Sequence, residues 1–244
     1  AWWSGSGLHE IDRFLPQSLQ LNAAIVFFTA SCLLFSWLER RCDWPAARHA
    51  ALALLPLLFP LALLAAGHLP HPFAHLGYLA WPVAFAAHFR LLQRHEADGS
   101  RHVDWLHAAG LWLLAAIGAW ELAWNIDRWV GGRAAWPLLG WALWPAALLA
   151  ALALRGERLR WPVAAHRAAY FVLGGTPLAV FLAVWFFAGN VLSDGNPWPL
   201  PYLPLLNPLD LAQAGVLLLL ATWFSELRRL QLPPYATAPL PLAW

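Results

Sequence analysis

Apolar runs of about twenty residues recur along the whole chain, each closed by arginines, prolines or acidic residues. A helix rises ~1.5 Å per residue, so about 20 apolar residues cross a hydrocarbon core about 30 Å thick. Seven stretches meet that requirement: 19–38, 46–66, 77–93, 105–125, 135–154, 167–188 and 209–226. The pattern predicts an all-α polytopic bundle of about seven spans. The third is the least apolar, because "HFRLLQ" closes it with His88 and Arg90. Their side chains are expected to snorkel towards water. Across residues 1–244 there is no internal repeat, no heptad array and no connection long enough for a soluble domain, so the chain is expected to be one transmembrane region.

The connection between the last two spans breaks the pattern differently. "NPWPLPYLPLLNPLDLAQ", residues 196–213, is as apolar as the spans but carries prolines at 197, 199, 201, 204 and 208. Proline has no N–H and pushes its predecessor to extended backbone, so this strap is expected to run extended, at about 3.1 Å per residue. It is expected to lie over the outer helix ends with Trp198, Tyr202, Leu203 and Leu205 turned down into them. Two readings stay open. The prolines end one helix and begin the next, with Pro208 near an N-terminus and Asp210 in its first turn, or the strap is a lid over an outward cavity.

Arginine placement orients the spans. Twelve arginines fall in the connections after the first, third, fifth and seventh spans, and only Arg13, Arg128 and Arg133 on the other side. The positive-inside rule then puts residue 1 outside and residue 244 in the cytoplasm. Six acids accompany the three outer arginines, a formal −3; seven accompany the twelve inner ones, a formal +5. The basic inner rim suits anionic lipid headgroups and calls for no nucleic acid.

Composition agrees: 61% of the 244 residues are hydrophobic and 11% charged, with 18 Trp, no Met and arginine as the only basic residue besides histidine. The excess of Ala, Leu, Pro, Trp and Arg suggests a GC-rich bacterial origin. A start at "AWWSGSG" without methionine suggests a portion of a longer protein, with residues 1–7 the outer end of a preceding helix. Cys32 and Cys42 are expected to stay reduced.

Candidate chemistry gathers on the acidic, tryptophan-rich outer side. Glu121, in "GAWELAWNID", is an ionisable residue near the outer end of the fourth span, where a cavity, a partner or the headgroup region would accommodate it. Trp81, Trp120, Trp124, Trp129, Trp136, Trp141, Trp185 and Trp198 lie on the same half. An aromatic belt explains most of them; flat rings beside carboxylates also suit a sugar or polyol head. "GHLPHPFAH" places His68, His71 and His75 in one outer loop, at spacings too unspecific for a zinc site, and no metal or cofactor is expected. "RHEADGSRHVDWLH" suggests a solvated inner turn around Gly99. Gly174, Gly175, Thr176 and Pro177 predict a kink in the sixth span, with Thr176 able to satisfy a freed carbonyl. Small-residue stripes, Ala142, Ala146, Ala150 and Gly175, Ala179, Ala183, would let helices approach closely. No G-x-x-x-x-G-K, G-x-G-x-x-G, G-x-S-x-G or C-x-x-C occurs, so nucleotide hydrolysis, Rossmann cofactors, serine hydrolysis and thiol redox chemistry have no support.

"GLHEIDRFLP" at 7–16, the chain of short spans and "LPYLPLLNPLDLAQ" at 200–213 together resemble the bacterial predicted-membrane-protein family named domain of unknown function 2339. The resemblance implies a very long, many-spanning inner-membrane protein. It implies no reaction and no catalytic residues.

The leading expectation is a bacterial inner-membrane protein that binds or translocates an amphipathic envelope molecule, such as a lipid-linked sugar, at its periplasmic face. Its ligand-binding candidates are Glu121, Trp124, Asp127, Trp198, Tyr202, Asn207 and Asp210. A membrane-embedded enzyme of envelope glycan or lipid chemistry, using Glu121, Asp210 or His71 as acid or base, is the second reading. A scaffold for partner membrane subunits is the third. Membrane lipids are expected partners in all three.

Overall fold

A computed structural model describes residues 2–96, 101–130 and 135–232, and among these every regular element is helical. The turn expected around Gly99, and Arg133, lie outside the described residues. The chain divides into two compact units, Ala1–Trp124 and Asn125–Trp244.

The first unit is built around α2 (Gln17–Arg41), which packs against α1 (Trp2–Phe14), α3 (Ala47–Leu52), α4 (Leu54–His68) and α5 (Gly77–His95). Pro16 separates α1 from α2, because the residue before a proline is driven out of helical backbone and the proline itself sits extended, at φ −61° and ψ 144°. α1 therefore folds back along α2. The Trp3 indole N–H donates to the Ser31 hydroxyl at 3.0 Å, its ring stacks on Phe27, and a Cβ at Gly7 would strike that same Phe27 ring. Ile25, Leu54, Leu58, Trp81 and Leu91 make the fully buried core.

The second predicted span is two helices. Pro56 cannot donate the helical hydrogen bond to Leu52, and the chain tightens one turn earlier: the Ala53 N–H donates to Ala50 and the helix restarts at Leu54. In α5, His88 departs from expectation. It does not snorkel but is 2% exposed, with its Nε2 against Gly110 of α6 (Arg101–Val130). Glycine at 110 leaves the space a side chain would take, so the imidazole enters the helix contact. Arg90 is exposed, as expected, and donates to the Gln93 carboxamide.

The second unit begins within α6 and continues through α7 (Ala135–Arg155), α8 (Gly175–Leu192) and α9 (Pro208–Arg229), which pack on one another pairwise. Small residues make the close approaches: a Cβ on Gly175 would lie 3.0 Å from the Trp223 indole nitrogen, and one on Gly189 3.0 Å from the Gln213 amide. The Trp185 indole donates across to the Leu138 carbonyl at 2.8 Å. The kink expected at 174–177 takes the form of a change in helix type. A π-helical run, Ala168–Gly174, passes into α8, with the Gly175 N–H bonded five residues back to Tyr170. Pro177, lacking an N–H, follows in the first turn of α8. The Thr176 hydroxyl does not satisfy a freed carbonyl; it is buried without a partner among the described residues.

Among the described residues, six stretches are long and apolar enough to cross a membrane: Gln17–Arg41, Ala47–His68, His102–Val130, Ala135–Arg158, Ala168–Leu192 and Pro208–Arg229. The remaining predicted span, around α5, is the one interrupted by His88, Arg90 and Arg94. Leu63, Val184, Phe187, Val191 and Leu218 stand exposed along these helices, an apolar surface that hydrocarbon covers at no cost.

Candidate functional site

The arginine-poor end of the first unit holds a connected set of polar contacts, in the loop joining α4 to α5. Prolines 70 and 72 keep this segment out of helix, so its backbone groups need partners from elsewhere. Two helices supply them. From α2, the buried Asn22 carboxamide donates to the carbonyls of Ala74, at 2.9 Å, and His75, at 2.8 Å. From α6, the Glu121 carboxylate accepts from His71 Nδ1 at 2.8 Å and from the Phe73 N–H at 3.1 Å, both on Oε2. The His71 ring stacks on Trp124, centroids 3.7 Å apart and 19° from parallel.

The clamp holds a backbone that would not form by itself. His75 and Leu76 both sit at positive φ, 48° and 72°, a conformation that costs non-glycine residues about 1 kcal/mol or more each. Gly77 follows because a Cβ there would run into the Pro72 carbonyl. Donating to the Glu121 carboxylate requires the proton of a neutral His71 to be on Nδ1, which leaves Nε2 as the acceptor.

Beside this loop lies a cavity of about 690 Å³, bounded by α1, the first three turns of α2, the end of α4 and the loop. Its lining is graded. Leu8, Ile11, Leu21, Ala24, Phe28, Leu61 and Leu64 make the apolar part, and Asp12, Gln17, Ser18, Gln20, His68 and His75 the polar part. The polar residues all lie near helix ends, whereas Phe28 and Leu61 lie two to three turns and two turns inside. None of the lining residues is an arginine. Arg13, at the same corner, is exposed and extends over the Phe14 ring, 5.5 Å from its centroid. The Gln20 amide donates to the carbonyls of Asp12 and Leu15, tying the end of α1 to the start of α2.

In the second unit the strap is a string of tight turns and not an extended chain. The Ser193 hydroxyl accepts from the Gly195 N–H, the Asp194 carboxylate from Asn196, and the Asn196 side chain from Trp198. Backbone bonds close further turns at Pro197–Leu200 and Leu203–Leu206. Side-chain oxygens two residues back satisfy these N–H groups locally, and that competition overrides the extended preference of the prolines. Trp198, Tyr202, Leu203 and Leu205, expected to point down, are 52%, 59%, 51% and 80% exposed. The strap is pinned by backbone: the Trp136 indole donates to the Trp198 carbonyl at 2.9 Å.

The two polar candidates at its end are a helix cap. Asn207, 2% exposed, accepts the Asp210 N–H at 2.9 Å and donates to Asp210 Oδ2, which also takes the Leu205 N–H at 3.1 Å. With Pro208 as the first residue of α9, this is a reciprocal N-terminal cap.

Of the seven sequence candidates, Glu121 and Trp124 belong to the first unit and meet at His71; Asp127, Trp198, Tyr202, Asn207 and Asp210 belong to the second. There Asn207 and Asp210 bond to each other, while Asp127 is exposed near the end of α6. Sequence reasoning missed Asn22 and the polar rim Asp12, Gln17, Ser18, Gln20. The available signal was polarity at the start of an otherwise apolar span, in "PQSLQLN", residues 16–22.

No curated protein and no solved structure matches the chain. One family model does, described as a predicted membrane protein and covering residues 3–244. Its span takes in both "GLHEIDRFLP" and the proline strap, and the chain belongs to that family, domain of unknown function 2339.

Proposed function

We propose that this is a bacterial inner-membrane protein that binds, or hands across the membrane, an amphipathic envelope molecule, and that the cavity of the first unit is where it binds. The carrying observation is the graded lining: polar groups at the helix ends and leucine, alanine and phenylalanine further in, in a volume of about 690 Å³. Pockets for ligands of a few hundred daltons run about 300–1,000 Å³, mostly apolar with a few placed polar groups. The arginine distribution, by the positive-inside rule, supports a periplasmic position for the polar end of this cavity. That relocates the site from the strap, whose large side chains are exposed, to the α1–α2–α4 corner.

Glu121 takes a positioning role in this reading. Its carboxylate holds His71 and Phe73, and so the loop that contributes Leu69 and His75 to the cavity wall.

Native mass spectrometry of the full-length protein tests the proposal. A co-purifying amphiphile is expected, lost in Leu64→Trp, which fills the cavity, and retained in the double variant Trp198→Ala, Tyr202→Ala. The opposite pattern would return the site to the strap.

A further inference from the structure

We infer that the polar rim of this cavity selects an amphiphile with an uncharged polyol head, of the glycosyl or glyceryl class, over one headed by a phosphate. The inference rests on the amphiphile reading above and adds the chemistry of the head.

Charge comes first. Phosphate sites are made by arginine or lysine forks or by helix N-termini, and no lining residue is an arginine. The only formal charge among the lining groups at neutral pH, with histidine neutral, is the exposed Asp12 carboxylate. Helix ends do not alter this. The C-termini of α1 and α4 reach the rim at Asp12 and His68, and the N-termini of α2 and α5 reach it at Gln17, Ser18 and next to His75. Each end carries about half an elementary charge, so the ends offset one another and the Asp12 carboxylate remains, with Arg13 turned over Phe14 outside the lining. A phosphate meets no cationic side chain in this lining.

Hydrogen bonding then separates a polyol from a cation. A point cation is best held by two or more carboxylates, and the rim has one. Its other five polar groups, Gln17, Ser18, Gln20, His68 and His75, each can both donate and accept. Sugar and glycerol hydroxyls need that dual capacity. Gln20 is the exception in place: its amide nitrogen is engaged with the Asp12 and Leu15 carbonyls, a geometry that leaves only its oxygen, to accept from a ligand hydroxyl.

Three photoprobes sharing one diazirine-bearing alkyl chain test this: a β-glucoside, a phosphate monoester and a trimethylammonium. Each is added to the full-length protein in phosphatidylcholine nanodiscs, and labelled peptides are mapped. The glucoside is expected to label 21–28 and 61–64 about tenfold more than the phosphate, as one or two hydrogen bonds plus repulsion would give. Gln17→Ala with Ser18→Ala should cut glucoside labelling severalfold, Asp12→Asn should raise phosphate labelling, and Leu64→Trp should abolish all labelling there. Equal glucoside and phosphate labelling would overturn the head assignment while leaving the cavity as an amphiphile site. Stronger labelling by the ammonium probe would overturn it in favour of charge recognition. Absence of labelling at these residues by every probe would overturn the cavity reading, and the inference with it.

Discussion

Asn22 and Glu121 perform one task from two helices, each holding a segment of proline-broken chain whose backbone has no partner of its own. Removing Asn22 leaves two carbonyls short of a donor, one of them buried. Asn22→Ala should therefore lower the unfolding free energy by about 2 kcal/mol, read from thermal or denaturant unfolding in detergent. Glu121 permits a sharper comparison. Glu121→Gln keeps an oxygen for the Phe73 N–H, whereas Glu121→Ala removes it, so hydrogen exchange at Phe73 should accelerate about 10- to 100-fold in the alanine variant and little in the glutamine one. Equal exchange in both would mean that Glu121 does not hold this loop.

At the scale of elements, Pro60, Pro82 and Pro145 are carried inside α4, α5 and α7, whereas other prolines mark where helices stop, and the groups around those decide what replaces the helix. Pro56 divides the second span, Pro16 turns α1 back on α2, and Pro208 opens α9 behind the Asn207 cap. The strap shows the second half of that statement. Its fixed points are Asn207, Asp210 and the Trp136–Trp198 bond, while its aromatic and leucine side chains are exposed. Asn207→Ala should cost about 1 kcal/mol, as loss of an N-cap does. Trp198→Ala and Tyr202→Ala should each change stability by no more than about 0.5 kcal/mol, as at other exposed positions. A larger loss from the aromatic variants, in the same detergent melts, would mean that the strap is packed by its side chains.

For the whole molecule, orientation and the cavity belong to one hypothesis, because the polar rim is useful only on the side where its ligand's head resides. On the proposed topology, with residue 1 outside, that rim faces out. An impermeant maleimide should accordingly label Ser18→Cys in intact cells. The native Cys42, exposed just past the arginine-rich end of α2, should react only after the membrane is opened. Labelling in the reverse order would invert the topology and place the cavity on the cytoplasmic side.

What residue order determined by itself is whatever depends on local composition. Helical class, span number to within the ambiguous α5, and the start of α9 at Pro208 follow from apolar run length and from proline's missing N–H. His88 was legible as a polar residue in a weak span, but its burial against Gly110 was not, since it depends on which helix lies opposite. Tertiary structure alone made Glu121 a clamp, by bringing a loop fifty residues earlier in the chain against it. It alone assembled the cavity, from residues of α1, α2, α4 and the loop after α4, as far apart in sequence as Leu8 and His75. Hydrophobic periodicity records which residues avoid water; in a membrane nearly every helix face does, so the pattern cannot say which faces meet.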